Sequence, residues 1–369
     1  MRPPPGQFPP AVRLWIFCPW AGAPTRASAF LAALPQADLR ARISDSADEN
    51  LLRLARLDCD WHGESVRCLD ALVQPGIEFR SAQVLGAAGL AEFARACVQC
   101  PADETWWLVF TGQHPGTLPG DLAAQVSAHI RRHGGRVLFY AFDEASRTMP
   151  GCAALAPHLD VLIHDESPLA PAVAARLPAG CVTVHRSWVA NFVPFAVPFH
   201  DNPGPSIVFL GSQAGLTAHR SRQLAFLQDR FKDCFTAHHD HTVAVSSRDQ
   251  LTRHRVALCP EGRKFTTPAM ARTHTDRPFW SGCLGLVPVA EDSRTGDRLT
   301  GLANAGLIIR YPHGDLMALG EACERALALS EAERQRIYRH FNTHETIGAV
   351  VAGALAAAMA PSVPLARAG

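Results

Sequence analysis

The sequence predicts an α/β protein of two doubly wound, Rossmann-like domains facing each other across a cleft. Three observations carry that expectation. Short, near-continuous apolar runs alternate with stretches of helical spacing, the pattern of a parallel sheet covered on both faces. The alternation is interrupted at residues 193–205 (VPFAVPFHDNPGP), where closely spaced prolines and the absence of any apolar period mark a linker, and it restarts beyond. A chain of 369 residues, 47% hydrophobic and 19% charged, is long and apolar enough for two ordinary cores.

The elements follow in order. Residues 1–10 (MRPPPGQFPP) are proline-rich with no apolar run, which reads as a disordered tail rather than an export signal. Strands are expected at 12–17, 106–110, 137–142, 161–163 and 182–184. Between the first two, residues 46–57 form a helix candidate in which Ser46 and Glu49 make a capping box and Leu51, Leu52, Leu54 and Leu57 an apolar stripe. After the linker, a strand at 206–210 ends in Gly211-Ser212 and a basic helix spans 219–232. A strand at 255–258, a helix at 276–284 and strands at 286–289 and 307–310 come next. Ser330 and Glu333 open a capped helix at 330–339, and a last apolar helix at 347–359 ends at Pro361. The resulting division is 1–10 tail, 11–192 first domain, 193–205 hinge, 206–340 second domain, and 341–369 a helix returning to the first domain.

Charge excludes some classes of function. Lys plus Arg number 35 against 34 for Asp plus Glu, a net charge of +1 that gives no reason to expect a nucleic-acid-coating protein. Arg, Asp, Gly or Pro breaks every apolar stretch well short of the roughly 18 residues of a membrane span. The 11 cysteines are an odd number scattered through apolar runs, as in a reduced, cytoplasmic protein with buried thiols. Cys97 and Cys100 form a single CxxC with Cys59 and Cys68 upstream, too few paired ligands for a structural zinc site. The His238-His239-Asp240-His241 run reads as a solvated loop.

Doubly wound sheets bind ligands at the carboxyl ends of their strands. Four features of the second domain fall there. Gly211 permits a tight turn and close backbone approach to a ligand, although a plain turn is the alternative. Arg263 and Lys264 put two cations on the loop after the 255–258 strand, as ligand contacts or as surface charges. Arg277 begins a helix, where it binds a ligand or pairs with Asp276 or Glu291. The 286–289 strand leads to Glu291 and Asp292. Arg and Lys beside a helix N-terminus suit a diphosphate, favoured by both the dipole and the guanidinium.

These motifs, in this order, resemble the C-terminal domain of GT-B glycosyltransferases, most closely the CgeB-type (spore-maturation) group. Val208-Phe209-Leu210-Gly211-Ser212 with Arg220 or Arg222 is similar to that group's early strand–loop–helix. Arg277-Pro278-Phe279-Trp280, running to Gly285, Pro288 and Val289, resembles its later helix–strand segment, and Val193-Pro194-Phe195 its interdomain crossing. Pro312-His313-Gly314-Asp315-Leu316 before a helix is also similar. The resemblance covers residues 193–345. It implies a GT-B fold and transfer of a sugar from a nucleotide-activated donor to a glycan or other hydroxyl-bearing acceptor, by analogy in envelope polysaccharide or another glycoconjugate. It implies no cofactor and no metal, since no acidic DxD-type pair follows a first-half strand. Donor contacts would come from Gly211, Ser212, Arg220, Arg263, Lys264, Arg277, Glu291 and Asp292. Trp280 stands where the group has an acid, and its indole N–H can only donate. Glu261, Glu291 or Asp292 would have to substitute for it.

The acceptor and the general base would lie in the first domain. Asp143 and Glu144 after the 137–142 strand are the first candidates, with His114 next and Asp165 as a further strand-end acid. Each has a structural alternative: His114 precedes Pro115 in a turn, and Asp143 or Asp165 suits a helix cap. Two other readings remain open, a non-catalytic nucleotide- or glycan-binding protein and a nucleotide-sugar epimerase on the same scaffold.

Overall fold

A computed structural model describes residues 12–17, 79–85, 105–112, 125, 127, 128, 130, 131, 135–141, 156–164, 171–185, 190, 197–211, 217–238, 251–260, 277–292 and 297–346, with helical positions at 349–350, 353–354 and 357–358. Within them lie two all-parallel sheets. The first contains β1 (Val12–Phe17), β2 (Phe79–Leu85), β3 (Thr105–Gly112), β4 (Arg136–Ala141), β5 (Val161–His164) and β6 (Val182–His185), in the order β2-β1-β3-β4-β5-β6. The second contains β7 (Ile207–Leu210), β8 (Phe235–His238), β9 (Val256–Cys259), β10 (Val287–Glu291) and β11 (Ile309–Tyr311), in the order β11-β10-β9-β7-β8. Parallel neighbours need a crossover between them, and this is the α/β class that the sequence predicts.

The expected apolar runs all fall on strands. The strands without a sequence signal, β2 (FRSAQVL) and β8 (FTAH), both lie at sheet edges. An edge strand has a neighbour on only one side, so it need not be the continuous apolar run that a central strand is. His238 is therefore the last residue of β8, not part of a loop as expected from the His238–His241 run; its carbonyl accepts from Gly211 N–H at 3.0 Å. Residues 239–241 lie outside the described residues, as do the 46–57 helix candidate, the 1–10 tail and Cys59, Cys68, Cys97 and Cys100.

Every residue of β7, β9 and β10 is buried, which requires cover on both faces. One layer pairs α1 (Ala218–Phe231) with α4 (Leu316–Ala328), and the other pairs α2 (Arg277–Cys283) with α5 (Glu331–His344). A further helix, α3 (Asp297–Asn304), follows β10. Helix starts are capped by side chains: Thr217 accepts from Arg220 N–H, Asp315 from Ala318 N–H, and the expected Ser330–Glu333 capping box is complete. Helix α5 continues past the predicted 339 to His344. Cys259, Cys283 and Cys323 are buried in this half; burial pushes the Cys323 thiol up to about 12.

Helix α5 also holds the crossing segment. Tyr338 O–H donates to Val197 O at 2.7 Å, and the fully buried Arg334 donates to Gly285 O at 3.0 Å and His200 O at 3.4 Å. Just past α5, Ala190 and Thr346 form a parallel bridge, and Ala190 N–H donates to Glu345 O at 2.7 Å. The Glu345 carboxylate pairs with Arg298, whose guanidinium lies 4.3 Å from the Phe279 ring centre.

His254, before β9, gives this half a pH response. Its Nδ1 is 2.9 Å from Ser206 Oγ, and burial, reinforced by the neighbouring His238, lowers its pKa from the ordinary 6.5. The unfolded chain thus binds this proton more readily than the folded one. The stabilising contribution is complete above 6.5 and is lost as pH falls from there through the lower folded value. Denaturant midpoints measured from about pH 7.5 down to about pH 5.5 should fall, and His254→Gln should flatten that fall. An unchanged slope in the variant would assign the acid sensitivity to other groups.

Candidate functional site

The described candidate residues of the second sheet gather at the carboxyl ends of β7, β10 and β11, where α1 and α2 begin. Strand β7 ends at Leu210 and is followed by Gly211. A methyl group placed on Gly211 would lie 2.6 Å from the Phe209 ring, so a larger residue would displace the ring, while Arg277 Nη2 at 3.4 Å would be in ordinary contact. Arg277, the first residue of α2, donates from Nε to Leu210 O at 3.1 Å. This bond fixes the guanidinium against the end of β7. Arg220, in the first turn of α1, is buried, and both its guanidinium and that of Arg277 lie 5.9 Å from the Phe209 ring centre. Two cations thus share one aromatic ring, at the outer limit of a favourable cation–π distance. The geometry brings together three residues expected at the ligand end of the sheet: Gly211, Arg220 and Arg277.

A second cluster surrounds Glu291, the last residue of β10, which is fully buried. Its Oε1 lies 2.6 Å from His219 Nε2 and 2.8 Å from His313 Nδ1, and it accepts from Gly314 N–H at 3.1 Å. The two imidazoles stack with centres 4.5 Å apart and planes 28° apart. Gly314 has φ of +77°, in the left-handed region, which is how the turn after β11 aims its N–H at the carboxylate. Gln223, one turn along α1 and also buried, places Nε2 3.2 Å from His219 Nε2. Glu291 was expected here; His219 and His313 were not singled out. Isolated histidines in a basic helix and in a Pro-His-Gly turn carry no ligand spacing, and only the fold sets them on one carboxylate.

The remaining expected residues fall as follows. Asp292 pairs with Arg310 of β11, so its carboxylate is engaged by a neighbouring strand. Arg277 bonds to a backbone carbonyl and Glu291 engages histidines, so the structural alternative of an Arg277–Glu291 pair is not the arrangement found. Trp280 is half-buried and packs against the hydrophobic core of this half. Ser212, Arg263, Lys264, His114, Asp143, Glu144, Asp165, Glu261 and Asp276 lie outside the described residues. No helix among the described residues is long and apolar enough to cross a membrane.

No protein-family model matches the chain, and no curated protein matches it in sequence. Solved structures that it resembles include glycosyltransferases. AviGT4, a glycosyltransferase involved in avilamycin A biosynthesis, matches at 12% identity and a TM-score of 0.40, over 75% of this chain and 91% of that one. A mutant O-GlcNAc transferase of Thermobaculum terrenum matches at 11% identity and a TM-score of 0.43, over 95% and 67%. The lipopolysaccharide outer core galactosyltransferase WaaB matches at 10% identity and a TM-score of 0.38, over 93% and 99%.

Proposed function

We propose that the chain is a cytoplasmic glycosyltransferase of GT-B architecture, moving a sugar from a nucleotide-activated donor to a hydroxyl-bearing acceptor. The observation that carries this reading is the arrangement at the end of β7. A guanidinium held by its Nε on Leu210 O stands beside Gly211, the residue at which backbone can approach a ligand most closely. A planar, always-charged fork with one N–H committed keeps its other donors in a fixed direction, which suits diphosphate oxygens. In this reading Arg277, with Arg263 and Lys264, offsets the donor's diphosphate charge, and Ser212 adds a hydrogen bond. Charge leaving with the nucleoside diphosphate is then stabilised by fixed cations, and the transfer needs no metal for that purpose. Asp143, Glu144 or His114 of the 11–192 domain removes the acceptor's proton. Closure of the 11–192 and 206–340 domains about residues 193–205, with 341–369 packed back on the first domain, excludes water from the donor.

Thermal unfolding in the presence of UDP, GDP, TDP, CMP and ADP, each with and without EDTA, tests the donor site. A ligand that binds only the folded state raises the melting temperature by mass action. One nucleotide raising it selectively, with the rise surviving EDTA, is the expected result. No rise with any nucleotide contradicts the proposal.

A further inference from the structure

We infer that His219, Glu291 and His313 form a binding site for one divalent transition-metal ion of the zinc class. The site takes over Glu291, which the resemblance alone would make a donor contact, and it uses neither Gly211 nor Arg277. The three ligand atoms, His219 Nε2, Glu291 Oε1 and His313 Nδ1, lie within 4.8 Å of one another and come from three elements: α1, β10 and the turn after β11. Two imidazole nitrogens and a carboxylate oxygen are a ligand set that this class of ion prefers.

The spacing is close to what an ion requires. Metal–ligand bonds of about 2.0–2.2 Å place neighbouring ligand atoms roughly 3 Å apart, so each side chain must move by well under ~1 Å from its present place. The imidazole side chains are 30% and 38% exposed, while the carboxylate at their base is fully buried. Exposed histidines over a buried carboxylate leave the solvent side for water or a ligand, as in an open metal site.

The hydrogen-bond inventory points the same way. Both nitrogens approach the same oxygen, which already accepts from Gly314 N–H. Gln223 Nε2 stands 3.2 Å from His219 Nε2, so the ring nitrogen that faces Glu291 has a second polar neighbour from the same helix. The Gly314 N–H then acts as the outer partner that orients a ligating carboxylate. With both histidines neutral, each bears its proton on the other ring nitrogen, and the ion takes the cluster from a charge of −1 to +1. No bond is made or broken beyond coordination.

The test uses the full chain, stripped with EDTA and dialysed, and calorimetric titration with zinc chloride in the absence of nucleotide. One equivalent is expected. His313→Ala, in an exposed turn, and His219→Ala should each weaken it by at least the roughly 10–100-fold that loss of an outer-shell partner costs. Cobalt(II) replacement should give visible absorption bands in the parent protein and lose them in both variants. Circular dichroism of the variants checks folding, and Glu291→Gln supplies a near-isosteric third variant. No uptake by the parent overturns the inference. So does uptake that persists at full affinity in both histidine variants, since the ion then belongs to other side chains such as His238–His241 or Cys97 and Cys100. Because no nucleotide is present, failure here leaves the donor reading standing, and failure of nucleotide binding leaves this one.

Discussion

Replacing Arg277 by alanine is expected to weaken binding of the preferred nucleoside diphosphate about 10–100-fold, the loss of one or two hydrogen bonds to a charged group. Stability should fall little by comparison, because the structural bond lost is a single one, from Nε to Leu210 O. Arg277→Lys keeps the charge and loses the fork, so it should recover only part of the affinity. The measurement is the nucleotide-induced rise in melting temperature across a concentration series for the parent and both variants. An unchanged rise in Arg277→Ala would place the diphosphate elsewhere, with Arg263 and Lys264 as the next residues to replace.

The second large effect concerns packing. Helices α2 and α5 approach each other at Gly282, where an added methyl group would sit 2.4 Å from Phe341 Cγ and Cδ2. The Phe341 ring is fully buried and packs on Phe279, leaving it little room to withdraw. Gly282→Ala should therefore cost about 1–3 kcal/mol despite alanine's better helix propensity, and Gly282→Val more. Gly301 is the counterpart within a helix. Nothing lies within 4 Å of the methyl group an alanine would bring, so Gly301→Ala in α3 should stabilise by roughly 0.5–1 kcal/mol. Urea unfolding of the two alanine variants separates the effects by sign. A stabilised Gly282→Ala would mean that the helices move apart at little cost. If that were so, the position of Arg277 at the start of α2 would be less firmly set than the site requires.

Much of the second half was legible in the sequence because its central strands are buried on both faces. Ile207–Leu210, Val256–Cys259 and Val287–Glu291 are apolar runs for that reason. The capping box at Ser330 and Glu333 works through a fixed three-residue spacing, so it too was readable. Phe79–Leu85 and Phe235–His238 escaped notice because edge strands carry mixed residues. In the candidate site, Gly211, Arg277 and Glu291 stand out in the sequence by their places at strand and helix ends, and Arg220 only by the resemblance. The histidine pair does not, because His219 and Glu291 are 72 residues apart and nothing local to either marks the other. Long-range convergence of this kind is created by sheet order: β7, which leads into α1, lies two places from β10.

Incubating the protein with the nucleotide-sugar that matches its preferred nucleotide, and resolving the products by chromatography, tests the central claim most directly. Glycosyl transfer predicts slow release of nucleoside diphosphate with water as the acceptor. The release should accelerate when a hydroxyl acceptor is supplied and should be lost in Arg277→Ala. A bound but unchanged nucleotide-sugar under every acceptor would contradict the account in favour of a binding protein. An isomerised sugar still joined to its nucleotide would contradict it in favour of an epimerase.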